Sequence, residues 1–254
     1  MITNQSLKNH YDAVYKKGQE RYFSFSSYNQ CKLILDFIDN WEGKSVLEIG
    51  CGEGALSAMI GFAGAKKVDA IDYSEEAIKI AKSKINLDNV NYICKEAVDI
   101  DSQYDVVIML GVLEHIDNPF ETLKSFMDKN VKNKGVLIIS SPSFLNPRGY
   151  VWMTLQFLFD VPMSLSDIHF LCPFDFQSFA KKHNYEIEII STDFDWGGER
   201  TIVDFKKRLC NAISDAGMDN EKVPYLLQWL QKAMPYFQHD NYSGANVAYR
   251  IERI

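Results

Sequence analysis

From residue 45 to residue 140 the sequence alternates short apolar runs with helical patterns, and that rhythm admits few folds. The runs are "SVLEI", "KVDAI", "VNYIC", "YDVVIML" and "GVLIIS", with helical patterns over 53–64, 74–86 and 118–130 between them. Short apolar runs bounded by turn signals fit strands covered on both faces, so the pattern reads as β-α-β units on a parallel sheet. The helix over 74–86 carries Ser74 as N-cap, acids at 75 and 76 beside the positive end of its dipole, and Ala77, Ile78, Ala81 and Ile85 on the sheet-facing side. The helix over 118–130 is announced by Asn118 as N-cap, Pro119 in the first turn and Glu121 completing a capping box.

Residues 1–43 read as a helical cover in two pieces, the second with an apolar stripe of Leu33, Ile34, Phe37 and Ile38. Residues 142–173 are rich in aromatics, Met and Pro; they are too long for a plain connection and too apolar for a solvated loop, which predicts a substrate lid containing one helix. Within it Tyr150, Trp152, Phe157 and Phe159 are expected to divide between packing and substrate contact. A helix over 174–183, the strand "YEIEIIST", a helical insertion over 201–235 and the alternating strand "ANVAYRIERI" follow. A last strand returning after its predecessor predicts an antiparallel edge pair. The insertion is amphipathic at helical spacing, fitting closure of the pocket or a dimer face. The expectation is one domain over 1–254: cover 1–43, core 44–141, lid 142–173 and C-terminal half 174–254.

The first strand runs into "GCGEG", a flexible turn before a helix N-terminus, where backbone can approach a ligand closely. The spacing is GxGxG, which alone is shared by several classes of nucleoside binder. Three acids sharpen it. Glu48 lies just ahead of the glycines, Asp72 ends the second strand where a carboxylate can hold two ribose hydroxyls, and Glu96 follows the third strand, able to accept from an exocyclic adenine amine. Tyr73 offers a ring to a purine face. Each acid alone reads as a solvated loop carboxylate; successive strands delivering acids to one rim argue for a site.

Taken together, "VLEIGCGEG", "IDYS", "KEA", "YDVVIMLGVLEHIDNP" and "KGVLIISSP" resemble the motifs of class I S-adenosylmethionine-dependent methyltransferases, over about residues 44–192 plus the last strand. "LEHIDNP", "ISSPSFLNPRGYVW", "DIHFLCPFDF" and the N-terminal "HYDAVYKKG" are most similar to small-molecule O-methyltransferases of the ubiquinone-biosynthesis type. The resemblance implies a Rossmann-like, seven-stranded, mostly parallel sheet with an antiparallel terminal strand, helices on both faces, and helical and aromatic lid insertions. It implies S-adenosylmethionine (SAM) as cofactor, with S-adenosylhomocysteine as product. Gly50, Cys51, Gly52 and Gly54 would line the methionine part, and Glu48 would orient its amino group through water. Asp72 would hold the ribose, Tyr73 and Ser74 the adenine ring side, Glu96 and Ala97 the adenine edge, and Leu110 and Gly111 the backbone at the end of the fourth strand.

Methyl transfer from a sulfonium is an in-line displacement, and a base is needed only for a nucleophile of high pKa. His115, in the loop after the fourth strand, is the first candidate for that base, and His169, in the aromatic segment, is the second. Related enzymes carry an acid three residues before the Glu of "EH"; here that place is Gly111, so no required metal is expected. A net charge of -7 without Lys/Arg clusters disfavours nucleic acid and anionic membranes as partners. Five scattered cysteines without CxxC, and no apolar run of membrane-spanning length, point to a cytoplasmic protein with reduced thiols. The resemblance implies a small-molecule acceptor methylated on a hydroxyl or an amine, and a monomer or homodimer is expected. The competing readings are an RNA methyltransferase, a non-catalytic SAM-binding module and an NAD(P)-dependent oxidoreductase.

Overall fold

The computed structural model describes residues 28–161, 169–192, 194, 198–237 and 239–254. The expected first helical piece lies outside the described residues. The second is α1, Tyr28–Asp36, shorter than its apolar stripe: Ile34 is buried inside it, while Phe37 and Ile38, also buried, follow its last residue.

Seven strands form the sheet: β1 Ser45–Ile49, β2 Lys67–Asp72, β3 Val90–Cys94, β4 Tyr104–Leu110, β5 Val131–Pro142, β6 Tyr185–Thr192 and β7 Asn246–Arg253, in the order β3-β2-β1-β4-β5-β7-β6. The pairings among β1 to β5 are parallel, and the sheet ends antiparallel, as expected. β1 and β2 are buried along nearly their whole length, whereas β6 alternates half-buried with exposed positions and then buried with half-buried ones.

Helices α2 Ala55–Phe62, α3 Glu75–Lys84 and α4 Pro119–Lys129 fall within the expected windows. In α3 the Ala77 N–H donates to Ser74 Oγ at 3.2 Å, and Ala77, Ile78 and Ala81 are buried. Ile85 departs from expectation: it lies one residue past the helix on extended backbone and is 37% exposed. The capping box at α4 is not formed either, because the Asn118 side chain makes no capping hydrogen bond. Its ψ of 75° falls short of the extended backbone, ψ 116° at Ser74 and 168° at Asn146, from which those two side chains do reach their caps.

Polar clamps pin the amino-terminal ends of the strands. Buried Asp69 accepts from Tyr104 Oη at 2.8 Å and from Asn91 Nδ2 at 3.0 Å, joining β2 to β4 and β3. Asp105 accepts from Ser45 N–H at 2.8 Å, Ser45 Oγ at 2.7 Å and Lys132 Nζ at 3.0 Å, joining β4 to β1 and β5. Burial would raise the Asp105 carboxyl, but the Ser45 donors and the Lys132 cation outweigh it and hold the group at about 2.

The chain divides into two compact units, the first of Met1–Ser141, Gln177–Glu188 and Ala248–Ile254, the second of Pro142–Phe176 and Ile189–Val247. The second has its own core. The expected helix after residue 141 is α5, Pro147–Phe159; α6, Pro173–His183, follows, and the insertion is two helices, α7 Glu199–Asp215 and α8 Val223–Ala233. Trp152 of α5 packs with Phe205 and Leu209 of α7 and with Leu227 and Leu230 of α8; each such side chain stabilises by about 1.5–3 kcal/mol when fully buried. Of the four aromatics singled out in the sequence, Trp152 is the one that packs, its ring edge-on to Phe205 at 5.7 Å, whereas Tyr150, Phe157 and Phe159 are each more than half exposed. All five cysteines are free thiols, and no helix among the described residues is long and apolar enough to cross a membrane.

Candidate functional site

After β1 the chain builds β2 and β3 outward on one side, then returns to place β4 on the other. At such a reversal the loops leaving the two central strands part company and open a crevice at the carboxyl edge. The register pairs Ile49 with both Ile71 and Met109, Asp72 with Cys94, and Leu110 with Ser140. The first four strands therefore end within a residue of one another, at one edge of the sheet.

The glycine turn is held there by backbone donors. The N–H groups of Gly50 and Cys51 both donate to Ile71 O, at 2.8 and 3.0 Å, and Gly52 N–H donates to Asp72 Oδ2 at 3.0 Å. From the other side Ser74 N–H donates to Asp72 Oδ1 at 2.8 Å, and Lys95 N–H donates to Asp72 O at 3.0 Å. One acid thus gathers the turn after β1, the turn after β2 and the end of β3. Glycine is demanded by the neighbours as well as by the backbone. Gly50 has φ +73°, and a Cβ there would stand 2.4 Å from Val112 Cγ2; Gly54 has φ +80°, and its Cβ would stand 2.5 Å from the Tyr92 ring.

The other expected residues of the first unit lie along the same strand ends. Tyr73 is half-exposed, with Cys94 Sγ 3.7 Å from its carbonyl oxygen. Glu96 is exposed and precedes a 3-10 turn, Ala97–Asp99. Gly111, just beyond Leu110, donates its N–H to Ser140 O at 3.0 Å. A second 3-10 turn, Leu113–His115, follows Val112 and carries Glu114 buried and His115 half-buried. Gly111 takes φ +66°, and a Cβ built on it would lie 3.8 Å from Glu114 Oε1. An acid at that place would stand beside Glu114 in a strained backbone. No group of three or more His, Cys, Asp or Glu side chains able to hold a metal occurs among the described residues. His169, half-buried, belongs to the second unit.

Glu48 is fully buried at the root of the loop, with Ser57 Oγ donating to its Oε2. Burial lifts its carboxyl to about 7, the Ser57 hydroxyl pulls down, and the Asp72 charge pushes up. The same surroundings push the Cys51 thiol well up, burial first and the charges of Glu48 and Asp72 after it, so Cys51 is packing rather than a nucleophile. Ser57 was not singled out in the sequence. The signal was there: Gly54, the N-cap of α2, has no side chain to cap with, and a serine three positions later faces a strand that carries an acid.

A stability prediction follows for the protein without ligand. Unfolded, Glu48 ionises near 4.5; folded, near 7. Between those values the folded chain holds a proton that the unfolded chain has lost. The contribution of Glu48 to stability is therefore fully present below about pH 4.5 and is lost as pH rises to 7, by about 3 kcal/mol at roughly 1.4 kcal/mol per unit. Glu48→Gln should remove this decline and be the more stable protein at pH 8. Urea midpoints at pH 5 and pH 8 check it, and parallel behaviour of variant and wild type would refute it.

The residues present suit a cationic nucleoside. Glu48, Asp72 and Glu114 are buried acids near the ends of adjoining strands, and the two Asp72 oxygens accept from Gly52 N–H and Ser74 N–H. A family model described as a methyltransferase domain matches residues 22–188, more than half of the chain. The mitochondrial ubiquinone biosynthesis O-methyltransferase of Saccharomyces cerevisiae (strain ATCC 204508 / S288c) is 32% identical over 120 residues, which take in 45% of this chain and 38% of that one. The chain thus spans well under half the length of that relative. Among solved structures, the complex of DhpI with SAM and HEP matches with TM-score 0.58 at 20% identity, covering 74% of this chain and 91% of that one. The [4+2]-cyclase SpnF matches with TM-score 0.63 at 16% identity, covering 99% and 96%. At these identities the structural likeness speaks to the fold.

Proposed function

The chain belongs to the methyltransferase-domain family, and from that premise we propose that it transfers a methyl group from SAM to a hydroxyl of a small molecule. The observation that carries the reading is the Asp72 carboxylate, which binds the Gly52 and Ser74 N–H groups through its two oxygens at the topological reversal of the sheet. When bound, the cofactor supplies an electrophilic methyl on a cationic sulfur. Asp72 takes the ribose hydroxyls, Tyr73 and Ser74 flank the adenine, and Glu96 and Ala97 meet its edge. Glu48 faces the methionine ammonium above the Gly50–Gly54 turn, and Leu110 and Gly111 close the rim with backbone. The hydroxyl acceptor is supported by the name of the yeast relative, an O-methyltransferase.

A hydroxyl acceptor of high pKa must give up its proton as it attacks the sulfonium methyl, and we assign the acceptance of that proton to His115. Its 3-10 turn follows Val112, whose side chain lies against Gly50, and this neighbourhood of the turn and the glycine loop supports the assignment. His169 is the second candidate. Transfer of labelled methyl from SAM to a panel of phenols and other hydroxylated metabolites tests the function; tight SAM binding with no transfer to any of them refutes it. His115→Ala is expected to leave SAM affinity within about twofold and to lower turnover by about a hundredfold, the scale of general-base assistance. Equal loss of binding and turnover would overturn the role, and the same assay on His169→Ala separates the two histidines.

A further inference from the structure

We infer that Ser57 is a positioning residue for the cofactor: its hydroxyl fixes Glu48 so that one carboxylate oxygen is left for the methionine ammonium, and Glu48 releases a proton to solvent as that ammonium arrives. The inference rests on the cofactor reading above and adds to it a linkage between binding and protons.

Ser57 is wholly buried in the first turn of α2 and donates to Oε2 of Glu48, itself 2% exposed. Its backbone N–H also favours the carboxylate. That amide is among the first four of the helix, which have no partner within it, and the N-cap, Gly54, has no side chain to offer. Glu48 therefore caps α2 from the neighbouring strand. The Ser57 hydroxyl thus fixes the Oε2 side of Glu48.

The groups around Glu48 decide what happens to its proton. From β2 comes Asp72, a like charge. The glycine turn brings Cys51 and β3 brings Tyr92, both pushed upward by burial first, Tyr92 to about 12, so both are neutral near pH 7. Opposite Glu48, β2 presents Ala70 and β4 presents Ile108, which are apolar. No cation from these elements stands against the acid, and in the apo protein Glu48 is half protonated near neutrality. An incoming ammonium supplies the missing positive charge. The carboxylic acid becomes a carboxylate, its O–H bond breaks, and the proton passes to buffer.

Calorimetric titration of the intact protein with SAM, and separately with S-adenosylhomocysteine, in buffers of different ionisation enthalpy counts those protons. Between pH 6 and pH 7 the ligand's α-amino group, ordinarily near 8, is already charged, so a released proton comes from the protein. The expected release is close to one proton at pH 6 and about half a proton at pH 7. Glu48→Gln should bind without release. Ser57→Ala loses a donor to the charged form, so its release profile should move up by about one pH unit, with affinity at pH 7 down about tenfold. Ser57→Thr, which keeps the hydroxyl, should restore both. Binding heats independent of buffer in the wild type would overturn the inference and leave the cofactor reading standing. No binding heat with either ligand would overturn both. A Ser57→Ala profile superimposed on the wild type's would remove Ser57 from the mechanism.

Discussion

Asp72→Ala is expected to lower the affinity for SAM by about a thousandfold, the largest loss from any single side chain of the site. Two effects act together. The ribose loses both charge-assisted acceptors, each worth about 1.5–3 kcal/mol. The protein also loses the bonds from Gly52 and Ser74, so the turn after β1 is no longer tied to the turn after β2. Asp72→Asn keeps one carbonyl oxygen and should fall between variant and wild type. The backbone bonds to Ile71 O and Asp72 O survive both changes, so the sheet should remain folded by circular dichroism while calorimetry reports weak binding or none. A loss of less than tenfold would move the ribose elsewhere and take the proposed function with it.

The second large effect is one of stability. Gly54→Ala places a methyl 2.5 Å from Cε1 and 2.8 Å from Cζ of Tyr92, on a backbone with φ +80°. Tyr92 is buried, and its hydroxyl donates to Gly54 O at 3.3 Å, so the ring has nowhere to swing. The left-handed backbone costs about 1–2 kcal/mol and overpacking about 1–3 more, giving a destabilisation of about 4 kcal/mol. A double-mutant cycle with Tyr92→Ala separates the two causes. The steric part, about 2 kcal/mol, should vanish in the double variant and the backbone part should stay. Strict additivity in chemical denaturation would show that the ring is not the obstacle.

The central strands were legible because they are buried along most of their length and so read as apolar runs, and the edge strand β3 was legible from its short apolar run between turn signals; "VNYIC" and "YDVVIML" match β3 and β4 to the residue. The loops after β1 and β2 were legible for a different reason. Left-handed backbone selects glycine, and a carboxylate at a strand end is conspicuous among Val and Ile. What stayed hidden was set by tertiary geometry. Asn118 and Ser74 look equally good as caps, and only the backbone angle before each helix tells the one that reaches its amide from the one that does not. Ile85 continues the periodicity of α3, but the chain has already turned extended there. Ser57 falls on the buried face of an apolar helix, where a small polar residue looks like any packing position until Glu48 is found across from it.

The two polar clamps have a consequence for how such a protein changes over generations. Asp69 and Asp105 lock β1 to β5 together toward the ends opposite the glycine turn, through hydroxyl, amide and ammonium donors. Substitutions among the loops at the far edge leave those locks untouched, so a lineage can try new acceptors there one residue at a time without first repairing the scaffold. Evolvability, in this chain, is a matter of keeping the bolts and the workbench at opposite ends.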